Sequence, residues 1–429
     1  MARHTVVTCL TLTCLTALTA CGPAKIEHVV IVVQENHTFD AYFGRYCTAA
    51  TGSNPTCTSG PACCEAAPAT EPGTEYTPVV LDDTENGGYD PDHQQTCELS
   101  EIDSGKMDKY VDSTISSCGN QGNFAYANAA SAQPYWSLAG GNALADNYFQ
   151  PIAGQSSSND MYFARAKYVF TDNDASPNAV NSVCNPGGPT TSYTDQTIGD
   201  LLANAGVSWS WYMEGYDDAV AAKTNTPPCP EAPAACPAAS TLGSIYPCVF
   251  SPGDDPFEYY SRFTDNPAYI KDYTRLETDI KAGALPSVTF VKAYGFHSEH
   301  PGYGTTISAG TTFVNGVVSA ISGSSYASST LVLVTWDEGG GFFDHVSPPP
   351  TSTVDNQPYG TRIPLLAMGP FARKNFISHV QMEHSSIVKF LEWNWLGHTT
   401  GQLGNRDTTV NNIGSLLDPK QQQTPVPEE

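Results

Sequence analysis

Two stretches of the chain place acids and amides where a buried strand should end. One is Thr335-Trp336-Asp337-Glu338-Gly339-Gly340-Gly341-Phe342-Phe343-Asp344-His345, which continues the β-branched apolar run 331–335. The other is Gln34-Glu35-Asn36-His37-Thr38-Phe39-Asp40, which follows the apolar run 26–33. Adjacent carboxylates repel one another unless a cation lies between them, and glycines let backbone approach an ion or ligand closely. Oxygen and amide donors without thiolates suit a hard or borderline divalent cation such as Ca²⁺, Mg²⁺, Mn²⁺ or Zn²⁺. Asn36 is equally well placed to cap a helix, because Phe39, Tyr42 and Phe43 follow at helical spacing.

A third stretch, Gly154-Gln155-Ser156-Ser157-Ser158-Asn159, opens an apolar helical segment. Free N–H groups at a helix start favour negative charge, which suits a serine nucleophile or a bound anion; a plain Ser-rich cap has the same composition. A serine hydroxyl is a weak nucleophile at neutral pH, and a divalent cation activates it. Phosphoryl transfer then needs charge stabilisation and positioning above all. His93, in Asp90-Pro91-Asp92-His93, reads by itself as a solvated loop histidine; the strand 287–292 leads into His297-Ser298-Glu299-His300-Pro301, and His345 follows the three glycines.

These residues need a scaffold, and the apolar periodicity supplies one. Strands are expected over 26–33, 207–212, 287–292, 331–335 and 363–369, and helices over 197–205, 273–282, 313–322 and 385–396. A helix followed by a short strand is expected within 135–149. Buried strands that alternate with helices and end in polar residues describe a three-layer α/β/α sandwich. Its central sheet should be mostly parallel, with the site along one edge. Residues 45–90 and 217–255 read as long loops.

The chain starts with Arg3, His4 and an apolar run to Ala20, which reads as a secretory signal peptide over 1–21. Leu18-Thr19-Ala20-Cys21 resembles a bacterial lipobox, so Cys21 is expected to carry a lipid anchor. The protein is then exported and membrane-tethered or secreted. Ten cysteines follow, from Cys47 to Cys248, an even number that fits disulfides pinning long loops. Residues 22–418 are expected to form one catalytic domain and 419–429 a disordered tail. Nineteen basic against 44 acidic residues give a net charge of −25, which argues against nucleic acid as a partner. A highly anionic substrate then needs a cation in the site. The exported, disulfide-bonded protein is expected to be a monomer or small oligomer.

Glu35-Asn36, Gly154-Gln155-Ser156-Ser157-Ser158-Asn159, His300-Pro301, Asp337-Glu338 with Asp344-His345, and Glu383-His384 occur in the order of a known family. In these motifs the chain resembles the bacterial phosphoesterases that include non-haemolytic-type phospholipases C and related acid phosphatases, whose fold is similar to alkaline phosphatase. The resemblance runs from about Lys25 to about Asp418. It implies a phosphoric ester hydrolase with one divalent metal ion bound by Glu35, Asn36, Ser156, Asp337 and Glu338. Ser156 matches the nucleophile, which implies a covalent phosphoserine. His93, His300 and His345 match histidines around the phosphate. Both prolines of the family's nucleophile turn are missing here, which makes Ser157 a rival to Ser156. The C-terminal modules of many of the phospholipases are absent from this sequence, which tilts the expectation toward a compact phosphatase. A sulfatase on the same fold would carry Cys or Ser followed by x-Pro-Ser/Ala-Arg, and no such segment is present. The remaining alternatives are a phosphodiesterase acting on lipid head groups and a non-catalytic surface-binding lipoprotein.

Overall fold

The computed structural model describes residues 23–170, 192–222, 233, 236, 246–264 and 266–429. Residues 1–21, read above as a signal peptide ending in Cys21, and also Cys184 and Cys229, lie outside the described residues. Ten strands occur among those described: β1 His28–Gln34, β2 Val79–Leu81, β3 Ala125–Ala127, β4 Ala143–Ala145, β5 Trp209–Met213, β6 Ile270–Asp272, β7 Val288–Lys292, β8 Thr330–Trp336, β9 Leu365–Met368 and β10 Phe376–Ser378. Eight form one sheet in the order β10-β4-β9-β8-β1-β7-β5-β6, and β2 pairs with β3 in a separate small sheet. Only β9 runs against its neighbours, β4 and β8; every other pairing is parallel.

Every residue of β5, β7 and β8 is buried, and so is all of β1 after His28. Because side chains alternate across a strand, burial of both sets means that both faces of the sheet are covered. That is the three-layer arrangement expected, built on β-branched runs that favour extended backbone. One covering helix, Ile307–Ser322, buries Ile307, Phe313, Val314, Val317 and Ile321 along one stripe. It starts six residues before the expected position, because Thr306 caps it by accepting from Ala309 N. The helix Ala129–Gly141 likewise starts early, capped by Asn128, and runs through Pro134.

The long loops are pinned as anticipated. Disulfides Cys47–Cys64, Cys57–Cys63, Cys97–Cys118 and Cys236–Cys248 join cysteines close in sequence. The loop 45–90 is nevertheless more structured than its composition suggested, holding β2 and the helix Asp83–Gly88. That helix and the next, Gln95–Ile102, bracket His93.

The expected disordered tail is not what the structure shows. Residues 419–429 lie against the domain, with Ala24 N donating to Gln421 O at 2.9 Å and Gly414 N to Pro427 O at 3.1 Å. Val426 is buried in the same apolar core that contains Ile26 and β1, and its N–H donates to Gln422 Oε1. A polar composition hid one apolar anchor and a set of backbone bonds. Deleting residues 419–429 should therefore lower the unfolding free energy by about 1.5–3 kcal/mol, the order for exposing one buried Val-sized side chain. Calorimetric melting of the shortened protein tests this, and an unchanged midpoint would mean that the tail contributes nothing.

Candidate active site

Strands β1 and β8 lie side by side and parallel, Val33 opposite Thr335 and Gln34 opposite Trp336. On the other side of β1, Val33 is opposite Lys292 of β7. Three parallel central strands therefore release Glu35-Asn36, Asp337-Glu338 and Lys292 at one sheet edge.

Local geometry aims them. Asn36 has φ 61°, a left-handed conformation that Asn tolerates better than most residues. Gly340 packs on it at φ 65°, and a Cβ there would collide with the Asn36 carbonyl oxygen. Asp337 Oδ1 accepts from Asn36 N at 3.1 Å and from Glu338 N at 2.7 Å. Behind it, His384 Nε2 donates to the Asp337 carbonyl at 2.7 Å while Tyr148 OH reaches His384 Nδ1 at 2.7 Å. Burial lowers the His384 pKa to about 3, so the ring is neutral and holds that tautomer.

The serine segment arrives from a separate helix. Gly154 has φ 126°, open to glycine alone, and its N–H donates to Glu98 Oε2 at 2.8 Å. Asn159 bonds back to Gly154 O at 2.8 Å and to Gln155 O at 3.2 Å, and it accepts from Ile152 N at 3.2 Å. The helix Ser156–Arg165 then begins without a side-chain cap, and Ser156 Oγ donates to Glu35 Oε2 at 3.3 Å. The Ser157 hydroxyl faces elsewhere, toward Tyr259 and Gly253.

His93 and His300 meet edge to face, with ring centroids 5.9 Å apart. His93 Nε2 lies 3.4 Å from Asn36 Nδ2 and 3.8 Å from Glu338 Oε1, while its Nδ1 bonds to Pro91 O. His300 Nδ1 bonds to Pro301 O. Burial acts to lower the His300 pKa, but Asp90, Glu35 and Asp337 outweigh it and raise the value. His345 is not brought to this group. Its Nδ1 bonds to Asp40 Oδ2 at 2.7 Å and its Nε2 lies 3.2 Å from Glu65 Oε2. Both ring nitrogens are engaged in a separate network with Arg362 and Asp344.

The donor set fits a hard cation. Asn36 Oδ1 and Glu338 Oε1 are buried and have no hydrogen-bond partner, a costly state unless something else pairs with them. Burial, with Glu35 nearby, raises the Asp337 carboxyl to about 6, and burial beside Asp337 and Glu98 pushes Glu338 well above the usual range. Among the described residues, Asp40, Asp344 and His345 also bring three donor atoms within 4.8 Å of one another. That group already holds a cation of its own: Arg362 reaches Asp40 Oδ1 at 3.0 Å and Asp344 Oδ1 at 2.8 Å. Asn36 Oδ1 and Glu338 Oε1 have no such partner.

Sequence reasoning missed Lys292, which is fully buried with its ammonium 2.9 Å from Glu35 Oε1 and 3.4 Å from Asp337 Oδ2, and which also pairs with Asp160. The available signal was a lone charge ending a strand otherwise apolar. Asp160 and Glu98, both buried, were missed too; in sequence they look like ordinary helical acids.

The Phosphoesterase family profile matches residues 26–396, from the start of β1 to the helix behind Asp337. The chain belongs to the Phosphoesterase family. It is 25% identical to phospholipase C B of Mycobacterium tuberculosis, over 91% of this chain and 77% of that protein. It is 25% identical to the non-hemolytic phospholipase C of Burkholderia pseudomallei, over 86% of this chain but 55% of that one. Among solved structures, it is similar to a protein in the alkaline phosphatase superfamily from Vibrio parahaemolyticus. That match has 10% identity and a TM-score of 0.39, and it covers 92% of this chain and 72% of the other. This phosphoesterase is a phosphoric ester hydrolase.

The two histidine environments should separate under mutation. His345→Gln should lower stability by about 1–3 kcal/mol, the usual cost of breaking a buried polar network, and leave turnover within about tenfold. His300→Gln should do the reverse, losing roughly 10²-fold in turnover or more. Burial opposes charge on His345, but Asp40 outweighs it and raises the pKa. The charged ring therefore stabilises the fold fully below pH 6.5, and that contribution fades as pH rises through the raised value. Urea midpoints across this range should show the gap between the parent and His345→Gln narrowing toward high pH.

Proposed function

We propose that this phosphoesterase cleaves phosphoric esters through Ser156, with one divalent cation held by Glu35, Asn36, Asp337, Glu338 and Ser156. The observation that carries this reading is the Ser156 hydroxyl at an uncapped helix start, 3.3 Å from Glu35 Oε2. The residues that follow Glu35 and Asp337 each carry a buried oxygen with no hydrogen-bond partner, Asn36 Oδ1 and Glu338 Oε1. A bound divalent cation would lower the serine hydroxyl pKa and offset the charge of the phosphoryl group.

The chain's own groups do the rest. Glu35 Oε2 orients the Ser156 hydroxyl, and the free N–H groups at the helix start favour the anionic substrate. Ser156 Oγ bonds to phosphorus as its proton passes to Glu35 Oε2 and the ester oxygen leaves, and water then hydrolyses the phosphoserine to free serine and the phosphoryl product. His93 and His300 are placed to hydrogen-bond phosphoryl oxygens and to protonate the leaving alcohol. His345 has no part in this step, because Asp40 and Glu65 engage its ring.

A phosphodiester with a cationic alcohol is favoured over a monoester by one corner of the site. Tyr246 and Tyr303 pack edge to face at 5.1 Å, and both rings contact His300. Asp90 Oδ1 is buried there without a hydrogen-bond partner. Aromatic faces and a carboxylate suit an alkylammonium group, which agrees with the phospholipase C names of the relatives. A phosphomonoesterase is the second reading, because the sequence resemblance includes acid phosphatases. Four disulfides support an exported protein, the setting read from residues 1–21; the lipid anchor at Cys21 is part of the same proposal. Among the described residues no helix is long and apolar enough to cross a membrane.

Ser156→Ala should lose roughly 10³–10⁵-fold in turnover, as when a covalent route is removed, and Ser157→Ala less than about tenfold. Acid quenching should trap phosphate on the peptide that contains Ser156, and normal turnover by Ser156→Ala would sink the assignment. Chelation should abolish activity, and restoring Ca²⁺, Mg²⁺, Mn²⁺ or Zn²⁺ one at a time should name the ion. Comparing phosphatidylcholine with an aryl phosphate monoester decides between diester and monoester.

A further inference from the structure

The three strands that build the site carry one cation of their own. Lys292 ends β7, is fully buried, and touches three carboxylates, Glu35, Asp160 and Asp337. The contacts divide the oxygens cleanly. Lys292 takes Glu35 Oε1 at 2.9 Å and leaves Oε2 for the Ser156 hydroxyl. It takes Asp337 Oδ2 at 3.4 Å and leaves Oδ1 for the N–H groups of Asn36 and Glu338. Its third partner, Asp160, stands four residues after Ser156 on the same helix, one turn along. A single ammonium thus joins both carboxylate-bearing strand ends to the helix that presents the serine.

We propose that Lys292 is the positioning residue of this site. It fixes the rotamers of Glu35 and Asp337, ties the Ser156 helix to them through Asp160, and competes with the divalent cation for the same carboxylates. This rests on the reading that Ser156 is the nucleophile and that Glu35 and Asp337 hold a divalent cation. The competition follows from charge alone. An ammonium within 3.4 Å of two ligand carboxylates repels a nearby cation and occupies one oxygen of each. Orientation and affinity are therefore set against one another.

That opposition gives a signature that mere structural damage does not produce. Lys292→Met keeps the length of the side chain and removes the charge. Apoprotein titrated with Mn²⁺ in a calorimeter should bind roughly tenfold more tightly than the parent, because a like charge has gone. Metal-replete Lys292→Met should lose about 10²-fold in kcat with KM changed less than about threefold, because a displaced serine fails in the chemical step rather than in binding. Lys292→Arg, which keeps the charge, should move affinity back toward the parent.

Removing Lys292 leaves Asp160 buried and unpaired, which can unfold the protein. The double variant Lys292→Met/Asp160→Asn removes that leftover charge, and it must show the same split of tighter Mn²⁺ binding and slower turnover. Weaker Mn²⁺ binding together with slower turnover in a folded variant would overturn the proposal, as would parent values for both. A parent protein that binds no Mn²⁺, Ca²⁺, Mg²⁺ or Zn²⁺ would instead defeat the metal reading on which the proposal rests.

Discussion

The constraint on which this structure turns is the crowding of buried carboxylates at the ends of β1, β7 and β8. Glu35, Asp160, Asp337 and Glu338 are all buried, and the charges that face them are few. Charges taken out of water cost several kcal/mol each unless they are paired and hydrogen-bonded. Lys292 answers part of that cost, and backbone N–H groups from Asn36, Glu338 and Gly340 answer more. What stays unanswered includes Glu338 Oε1, Asn36 Oδ1 and Asp160 Oδ1. A fold tolerates this only where function repays it, since the same residues replaced by apolar ones would pack without the charge problem. The parallel register explains why the charges meet at all. With Val33 level with both Lys292 and Thr335, one residue more or less in any strand would send the next side chain to the other face.

Each of the two strand-end motifs does two separate jobs. Its first residues enter the site, and its last residues build a closed ion network several residues on. Asp40 and Asp344 share Arg362, and His345 bridges Asp40 to Glu65. This network fastens the loop after β8 to the helix Phe39–Phe43, with Asp344 Oδ2 accepting from Asp40 N at 3.1 Å. A fixed arginine makes it self-sufficient, whereas the Asn36 and Glu338 oxygens have no such partner. In sequence the two systems share one acidic character. The difference lies in Arg362, which comes from a distant segment just before β9.

The large features were legible in the sequence because they rest on local pattern. Residues 331–335 and 26–33 read as buried strands, and the structure places β8 and β1 there with shifts of only one or two residues. Glu35, Asn36, Asp337 and Glu338 were legible because polar residues at the end of a buried strand stand at a sheet rim. His345 was misplaced because proximity to Asp337 along the chain says nothing about direction after three glycines. Gly340 and Gly341 both have positive φ and turn the chain away from the site. Lys292 was overlooked because one charge ending an apolar strand resembles a strand boundary. The tail was misjudged because composition counts residues, while one buried Val426 and a few backbone bonds decide docking.

The Ser156 turn shows how polar contacts can hold a turn without proline. A proline at a compatible position stabilises by about 0.4–1 kcal/mol, mainly by restricting the unfolded chain. This turn has none, yet two hydrogen bonds donated by Asn159, one that it accepts from Ile152 N, and one from Gly154 N to buried Glu98 hold it. Net contributions of about 1 kcal/mol each together exceed what two such prolines would add. These bonds also do something that prolines cannot. Asn159 reaches back to both Gly154 and Gln155, so the residue that begins the helix is set by a side chain inside that helix. A shift of one residue would break every one of these bonds at once and would carry Asp160 away from Lys292. The register that presents the Ser156 hydroxyl to Glu35, and turns that of Ser157 toward Tyr259, is therefore held by polar contacts on both sides of the serine.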